Sequence, residues 1–231
     1  MVKKLNIPII MKTTEQFPVK LYRQLEENEQ FVMFADPAES QDFCAAVAIS
    51  KKHFDCPLIF NWVMESTQFG YELFYMAKFI QKKTGLWPKL AVERNTGQAT
   101  IYILKTLNYP DLFRMVDFTS TNSAEKGEIG WVTTGALTGG VLMGTRRKML
   151  DDLSTAINQG MIKMYDETQI RQLMSFLIVK GGRAQAQSNK KDDLVLATSG
   201  AWQIQLLTPD NDFGDYDPVE RQRQRDKWRF K

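Results

Sequence analysis

The stretch FVMFADPAESQDFCAAVAIS, residues 31–50, decides the fold of this chain. Its first part, Phe31 to Ala35, is a continuous apolar run that ends at Asp36-Pro37, as expected for a buried strand. A second apolar run follows from Phe43 to Ser50, and a third from Pro57 to Met64, at the spacing of hairpins. The sequence therefore predicts three successive strands.

Helical and strand-like segments alternate after these three strands. Ser66 offers an N-cap for a helix whose apolar residues recur at helical spacing until Gly85. A short strand from Leu90 to Glu93, a second helix from Gly97 to Asn108 and a fifth strand from Leu112 to Val116 come next. This order of elements predicts an α/β domain.

The second half of the chain is predicted to be mostly helical. Residues 118–144 are rich in Ser, Thr and Gly and indicate a long excursion, as a hairpin or an ordered loop. Helices are predicted to begin at Thr145 and at Asp166, with the run MIKMY between them as a short strand candidate. The basic loop GGRAQAQSNKK leads into a last helix. Its apolar stripe consists of Val195, Thr198, Trp202 and Leu206.

The bulk composition is that of an ordinary soluble globular protein. The chain has 231 residues, of which 43% are hydrophobic and 25% charged, so it can bury a core without disulfides. Its net charge of +3 is mild, and any affinity for nucleic acid must come from local clusters of Lys and Arg. Cys44 and Cys56 indicate reduced thiols, and the single histidine, His53, argues against a zinc site.

Both ends of the chain differ from the packed domain, which we place at residues 29–208. Residues 1–28, interrupted by Pro8 and Pro18, are typical of a lead-in or linker. The apolar stretch within them is too short for a signal peptide or a membrane span, so a cytoplasmic location is expected. In residues 209–231 an acidic stretch precedes a basic one, which predicts a charged tail that is disordered or bound to a partner.

Acidic residues stand at the ends of several apolar segments. Asp36 and Glu93 each close a strand, and Asp192 with Asp193 opens the last helix. Carboxylates at the ends of neighbouring strands emerge at one sheet edge, where α/β sheets bind ligands, and a helix start can supply a third. Such a cage suits hard divalent ions, and two ions of this kind cleave phosphodiesters. The pattern predicts a metal-dependent nuclease.

Each of these acidic residues also has a purely structural interpretation. Asp36 before Pro37 is a common turn residue, and Glu93 fits an exposed strand end. Asp192 and Asp193 fit an N-cap pair that needs no chemistry. Only the order and context of these residues favour a common site.

That context resembles a known family. The segments FADPAESQDF, AVAIS, LAVERNTGQA, EIGWVTT, TRRKMLDDL and NKKDDLVLATSGAW follow each other between about Phe31 and Leu206. Together they resemble the nuclease domain of phage large terminase subunits. The resemblance implies a ribonuclease H-like fold, in which a central mixed sheet of five main strands carries helices on both faces.

The resemblance also implies a site and an activity. By position, Asp36 matches the first-strand aspartate, Glu93 the acidic residue of the fourth strand and Asp193 the helix aspartate, with Asp192 as an additional or alternating ligand. Many relatives carry Asp where this chain has Glu93, so the metal spacing is expected to differ slightly. These carboxylates would hold two Mg²⁺ or Mn²⁺ ions. The implied activity is cleavage of double-stranded DNA, with little sequence preference, during viral genome packaging.

DNA binding and further partners follow from the same resemblance. Since phosphates carry most of the affinity, contacts are expected from basic residues near the acids. The candidates are Arg94, Arg146, Arg147, Lys148, Arg183, Lys190 and Lys191. The implied partners are a packaging ATPase domain, whose GxxxxGK[ST] loop this chain lacks, and the portal protein and other packaging components, which would contact the tail. The linker-like start favours an excised domain over a free-standing relative. The isolated domain is expected to be monomeric, and the protein is expected to act in the host cytoplasm.

Several alternatives stay open. Another ribonuclease H-like nuclease, such as a resolvase or transposase, would share the fold and the metal site, and a DNA-gripping packaging module would lack cleavage. An actin-like ATPase is disfavoured because paired glycine-rich phosphate loops are missing. Trp131 is expected to pin the excursion rather than to stack on bases, and His53 to have no catalytic role. Core positions are expected for Met64, Met76, Met149 and Met174.

Overall fold

A mixed β-sheet lies at the centre of the domain. The structure, a computed structural model, describes residues 9–10, 19–38, 42–115, 127–133, 145–177 and 191–208. Within these ranges the sheet has six strands, namely β1 (Ile9–Ile10), β2 (Val19–Leu21), β3 (Phe31–Asp36), β4 (Phe43–Ser50), β5 (Leu58–Val63) and β6 (Lys89–Val92). They lie in the order β1-β2-β5-β4-β3-β6. β3 and β6 are parallel neighbours, and the other pairs are antiparallel.

Five helices and a second, short pair of strands complete the described ranges. The helices are α1 (Ser66–Thr84), α2 (Gln98–Thr106), α3 (Thr145–Asn158), α4 (Glu167–Leu177) and α5 (Asp193–Leu207). The short strands β7 (Arg114–Met115) and β8 (Glu128–Ile129) pair antiparallel. They extend the sheet beyond β6, because single bridges join Leu90 to Leu112 and Glu93 to Trp131.

The helices cover both faces of the sheet. On one face, buried residues of α1 and α2 share a cluster with Met33 of β3 and Leu90 of β6. On the opposite face, α3, α4 and α5 share a cluster with Phe34 of β3 and Val47 of β4. Successive strand residues point to opposite faces, which explains why neighbouring residues such as Met33 and Phe34 enter different clusters. The mixed sheet with helices on both faces is therefore as the sequence predicts, but its fifth main strand is β2 rather than the predicted run from Leu112 to Val116, and the two-residue β1 is added at its edge.

α5 is buried on nearly all sides rather than along one stripe. It lies between the sheet and the helices α3 and α4, so its small residues matter for close approach. A Cβ added to Gly200 would lie only 2.4 Å from the ring of Phe34, which shows how closely α5 approaches β3. The first three residues of the predicted stripe are buried, but the prediction is wrong for Leu206, which is 44% exposed.

Several predicted elements need correction. Ser66 is not the N-cap of α1, because Glu65 occupies that position and the Ser66 hydroxyl instead donates to the Ala38 carbonyl at 3.1 Å. The run MIKMY forms no strand and makes a single bridge, between Lys163 and Asp55. Lys163 donates to the Phe54 carbonyl and accepts from the Cys56 amide, each at 2.9 Å, whereas the Met161 amide is bonded back to the end of α3, to the Ala156 carbonyl at 2.8 Å. The fifth strand is shortened to the two residues of β7.

The segment before β3 is attached to the sheet. β2 pairs with β5, and the Arg23 guanidinium that follows it donates to both carboxylate oxygens of Asp55, at 2.6 and 2.8 Å, and to Glu29. Residues 19–28 of the predicted lead-in thus contribute a strand and ion pairs that contact β5 and the loop before it. The boundary at residue 28 stays a prediction, and the tail at 209–231 lies outside the described residues.

Trp131 and His53 both lie where structural roles are expected. Trp131 is 4% exposed and packs against Phe113, with ring centroids 6.0 Å apart, so it pins its segment to the core. His53 lies beside Glu26, with Nε2 2.7 Å from a carboxylate oxygen, on the loop between β4 and β5. That loop is at the end of the sheet opposite Asp36.

Sulfur-containing side chains follow the sequence predictions with one exception. Cys44 and Cys56 are free and buried. Three of the four predicted core methionines are buried, but Met174 is 59% exposed on α4. In the part of the chain that the structure describes, no helix has the length and apolar character needed to cross a membrane.

Candidate active site

Asp36 and Glu93 lie side by side at one edge of the sheet. They end, or directly follow, the parallel strands β3 and β6, where Ala35 is paired with Val92 and the Glu93 amide donates to the Ala35 carbonyl at 2.8 Å. Both side chains point to the face that carries α5, because each stands two residues after a residue of the α5-side cluster, Phe34 in β3 and Ala91 in β6. The two strand ends therefore present their carboxylates to the same crevice.

The N-terminus of α5 brings Asp192 and Asp193 to this edge. Asp193 is the first residue of the helix, and α5 packs along β3 and β4. Asp192 occupies the N-cap position, but its side chain makes no capping hydrogen bond. The amide oxygen of Gln172 in α4 instead accepts a hydrogen bond from the Leu194 amide at 2.9 Å. Asp192 is thus released from capping and pairs with Arg146 of α3 at 2.8 Å.

Burial and neighbouring negative charges raise the pKa values of two of these carboxylates, Asp36 and Asp193. Burial, and then the charges of Glu93, Asp193 and Asp192, raise the pKa of Asp36 well above its ordinary value, while Arg146 acts in the opposite direction. Burial, Asp42 and Asp192 raise the pKa of Asp193 to about 6, against the effects of its own backbone amide and of Lys191. Because charges act on a pKa most strongly at short range and where water screens them poorly, the raised pKa values of Asp36 and Asp193 agree with a placement of these acids at one end of the sheet.

One carboxylate oxygen at the site has no partner. Oδ2 of Asp193 is buried and accepts no hydrogen bond from any residue that the structure describes. A buried acceptor without a donor is costly in a folded protein. Its presence beside other carboxylates is typical of a site that awaits a positively charged ligand.

Glu93 is held differently. It is 6% exposed, and Oε2 accepts hydrogen bonds from the Thr96 amide at 3.0 Å and the Thr96 hydroxyl at 3.1 Å. The Thr133 hydroxyl donates to the other oxygen, Oε1. The turn after Glu93 is tight, since a Cβ added to Gly97 would lie 2.1 Å from the Glu93 carbonyl oxygen. Glycine at position 97 thus allows Thr96 to fold back onto the carboxylate.

Asp42 belongs to the same acidic group, although the sequence analysis did not single it out. It lies just before β4, and its charge is the largest electrostatic contribution to the raised pKa of Asp193. The signal was available, because a hairpin between the runs that end at Asp36 and begin at Phe43 returns the chain to the same edge. Asp42 is exposed, and its Oδ1 accepts a hydrogen bond from the Phe43 amide at 3.0 Å.

The predicted DNA-binding residues are placed unevenly. Arg146 pairs with Asp192, and Lys191 lies 3.1 Å from the centre of the Phe43 ring, so both border the carboxylates. Arg94, which follows Glu93, pairs with Glu128. Arg147 and Lys148 lie further along α3 and pair within it, with Asp151 at 3.5 Å and Asp152 at 2.5 Å. The other two candidates, Arg183 and Lys190, lie outside the described residues.

The donor set at this edge fits a hard divalent cation. Asp36, Glu93, Asp192 and Asp193 offer carboxylate oxygens, the ligands that magnesium and manganese prefer, and the unpartnered Oδ2 of Asp193 is one of them. No group of three or more His, Cys, Asp and Glu side chains within the described ranges is arranged so that it could hold a metal ion as it stands. Hydrogen bonds and Arg146 satisfy Glu93 and Asp192 instead.

Solved structures that share this fold are nuclease domains of phage large terminases. The large terminase nuclease from thermophilic phage G20c matches with a TM-score of 0.57 and 12% identity, over 80% of this chain and 87% of that chain. The same nuclease with bound magnesium matches with a TM-score of 0.57 and 11% identity, over 80% and 86%. The Thermus phage P74-26 large terminase nuclease domain matches with a TM-score of 0.54 and 12% identity, over 86% and 90%. No protein-family model and no curated protein matches this sequence.

The likeness concerns the fold. Identities of 11% and 12% are too low to carry residue roles, but the matches span most of both chains. The chain has the ribonuclease H-like fold of these terminase nuclease domains, as its sequence implies. The acidic edge formed by β3, β6 and α5 is the part of this fold on which a functional interpretation depends.

Proposed function

We propose that this chain is a metal-dependent endonuclease that cleaves double-stranded DNA, with little sequence preference, during viral genome packaging. The observation that carries the proposal is the group of buried and half-buried carboxylates at the sheet edge, where Asp36 and Asp193 have raised pKa values. The fold supports the same function, because solved domains that it resembles are large terminase nucleases.

Asp36, Glu93, Asp192 and Asp193 would hold two Mg²⁺ or Mn²⁺ ions. A solved domain with this fold contains magnesium, which supports the choice of metal. When bound, such ions supply a hydroxide from water and stabilise the leaving 3′ oxygen of a phosphodiester. The positive charge would also relieve the repulsion that raises the pKa of Asp36.

The protein's own side chains would orient and balance this centre. Asp36 lies within the electrostatic influence of the other three acids, so its carboxylate would help to hold the ions together with them. Arg146 is placed to hold Asp192 or to move to a DNA phosphate when the acids are neutralised. No side-chain base is needed, which agrees with the position of His53 at the opposite end of the sheet.

DNA would be gripped mainly through its phosphates. Lys191 and Arg146 border the carboxylates, and Arg94, Arg147 and Lys148 extend the basic surface away from them. Arg183 and Lys190, in the basic loop before α5, would add to it. Such contacts are independent of sequence and weaken as salt concentration rises.

The remaining partners are proposed from the resemblance and the fold. In a full-length terminase, this domain would follow a packaging ATPase domain, and its tail at residues 209–231 would dock on the portal protein or other packaging components. The protein would act in the host cytoplasm. The isolated domain is expected to be a monomer.

A second candidate function is a DNA-gripping module without cleavage. The observation that favours it is the lack of a ready-made group of three metal ligands among the described side chains. The two functions differ in one measurable property, because only the nuclease cleaves DNA in the presence of a divalent ion.

The test is incubation with supercoiled plasmid and Mg²⁺ or Mn²⁺, with and without chelator. We expect metal-dependent nicking and degradation that is lost in Asp36→Asn, Glu93→Gln and Asp193→Asn. The matched control is Glu167→Gln, which removes an exposed carboxylate of α4 that pairs with Arg171 at 2.5 Å. Cleavage by the three site variants at the parental rate would contradict the site. DNA binding without cleavage by the parent protein would favour the gripping module.

A further inference from the structure

Glu93 differs from the other carboxylates at the sheet edge because hydrogen-bond donors surround it. The Thr96 amide and hydroxyl reach Oε2, and the Thr133 hydroxyl reaches Oε1, whereas Oδ2 of Asp193 has no donor among the described residues. Both Glu93 oxygens are therefore fixed in direction before any cation arrives. A carboxylate with this many donors keeps one orientation of its plane.

Thr96 connects Glu93 to the end of the neighbouring strand. Its hydroxyl oxygen lies 2.8 Å from the carbonyl oxygen of Pro37, the residue after Asp36, and 3.1 Å from Oε2 of Glu93. A hydroxyl has one hydrogen to donate, so these two acceptors share it. Thr96 thus links the two strand ends that carry Asp36 and Glu93.

Thr133 reaches Glu93 from the opposite side, on a segment that is fixed to β6. Trp131 donates its amide to the Val92 carbonyl at 2.8 Å and accepts from the Arg94 amide at 2.7 Å. The Asn95 side chain then donates to the Thr133 carbonyl at 2.7 Å and to its hydroxyl oxygen at 3.1 Å. Because Asn95 donates to the Thr133 hydroxyl oxygen, the hydroxyl hydrogen is left for Oε1 of Glu93. The Thr133 hydroxyl is therefore oriented from both ends.

We infer that Thr96 and Thr133 are positioning residues for Glu93, whose hydroxyls hold its carboxylate in the orientation that binds the metal ion. The inference rests on the proposed function, since it assigns the two hydroxyls a role in the same site. Neither threonine belongs to the residues that the sequence analysis selected. Removal of a partner that orients a metal ligand typically lowers metal affinity by a factor of about 10 to 100.

The experiment compares the parent with Thr96→Val, Thr133→Val and Thr133→Ser. Valine keeps the shape of threonine but lacks the hydroxyl, and serine restores the hydroxyl. The matched control is Thr155→Val, which removes the hydroxyl hydrogen bond of an exposed threonine to the Asp151 carbonyl at 2.9 Å on α3. Mn²⁺ affinity is measured calorimetrically without DNA. Plasmid cleavage is then measured across a range of Mn²⁺ concentrations, and thermal unfolding is recorded in chelator.

We expect each valine variant to bind Mn²⁺ about 10-fold to 100-fold more weakly than the parent. Saturating Mn²⁺ should restore most of the cleavage rate, and Thr133→Ser should bind within about 3-fold of the parent. Thr155→Val should match the parent. Folded valine variants with parental Mn²⁺ affinity would overturn the inference, as would a Thr133→Ser variant no better than Thr133→Val.

The result also separates this inference from the proposed function. If the parent binds Mn²⁺ and cleaves DNA but the valine variants equal it, only the role of the two hydroxyls is wrong. If the parent neither binds Mn²⁺ nor cleaves DNA, the nuclease proposal fails and the inference falls with it. A lower melting temperature in chelator with unchanged Mn²⁺ affinity would assign the two threonines to stability alone.

Discussion

The two ends of β3 carry opposite arrangements of buried charge. Near its start, Glu29 and Asp55 are almost completely buried, and Arg23 donates to both. At its end, Asp36 lies among other carboxylates, which together with burial raise its pKa well above the ordinary value. The same strand thus joins a region where each acid has a basic or hydroxyl partner to a region where acids face one another.

The paired region shows what a purely structural solution looks like. Burial raises the pKa of Asp166, but hydrogen bonds from the side chains of Lys20 and Tyr22 and from the Gln169 backbone amide bring this pKa below its ordinary value. The Tyr165 hydroxyl donates to Asp55 at 2.8 Å in the same way. Since the chain has the means to satisfy buried acids, their crowding at the other end is a property of a binding site rather than a failure of packing.

The largest effect is expected from breaking the paired region. Arg23→Met would leave Glu29 and Asp55 buried without their cation, which costs about 3–5 kcal/mol of the free energy of unfolding. The control is Arg171→Met, because Arg171 and Glu167 form an exposed pair within α4 that contributes at most about 1 kcal/mol. Denaturant titration measures both. If Arg23→Met lost no more stability than Arg171→Met, the acids near the start of β3 would not depend on Arg23, and the contrast with the end of β3 would be wrong.

The second largest effect is expected when a divalent ion binds to the acids at the end of β3 and stabilises the protein. Mn²⁺ at about 100 times its dissociation constant adds about 2.7 kcal/mol to the free energy of unfolding. For a chain of this length, that corresponds to a rise in melting temperature of roughly 5–10 °C. Thermal unfolding with and without Mn²⁺ measures it, and Asp193→Asn should remove most of the rise. A rise of the same size in Asp193→Asn would place the ion elsewhere.

Lower pH should stabilise the metal-free protein through Asp193. Its pKa is about 6 in the fold and near 3.8 in the unfolded chain, so the folded state holds the proton more tightly, and stability rises as pH falls from about 7 towards 4. The full shift corresponds to about 3 kcal/mol, and partial exposure reduces this to about 1–2 kcal/mol. Denaturant titrations in chelator at three pH values measure the slope. An identical slope in Asp193→Asn would show that other groups cause it.

The smallest effect is expected from Asp36→Asn in chelator. The amide carries no charge, so the repulsion and desolvation that act on Asp36 disappear, and the melting temperature should rise by about 2–4 °C. The same substitution should lower cleavage by more than the factor of about 10 to 100 that outer partners of a metal ligand contribute, because it changes a ligand itself. Loss of stability in chelator, instead of a gain, would mean that Asp36 is a structural residue.

The sequence alone predicts which strand and helix ends carry the acids of the site better than it predicts the side chains that contact them. Continuous apolar runs closed by Asp36 and Glu93 are enough to place both acids at strand ends, because burial and chain direction fix where a strand emerges. The position of Asp193 at a helix start is readable for the same reason. The contact of the Thr133 hydroxyl with Glu93 cannot be predicted from the sequence. The two residues are 40 positions apart, and only the fold brings the segment of Thr133 alongside β6.

The errors of sequence reading have the same origin. Leu206 and Met174 look like core residues by spacing, but the burial of a helical face depends on which elements pack against it. Asp192 does occupy the N-cap position, as its sequence allows, but Gln172 of α4 accepts the hydrogen bond from the Leu194 amide and Asp192 pairs with Arg146. Contacts between distant segments decide these cases, and local patterns do not encode them.

The most direct measurement is the anomalous scattering of a crystal of this domain soaked in Mn²⁺. The crowded acids at the end of β3 are interpreted as a metal site, so manganese peaks should appear within coordination distance of Asp36, Glu93 and Asp193. Asp36→Asn crystals treated in the same way should lose or weaken them. Manganese bound only at other surfaces, with these carboxylates still bare, would contradict the account.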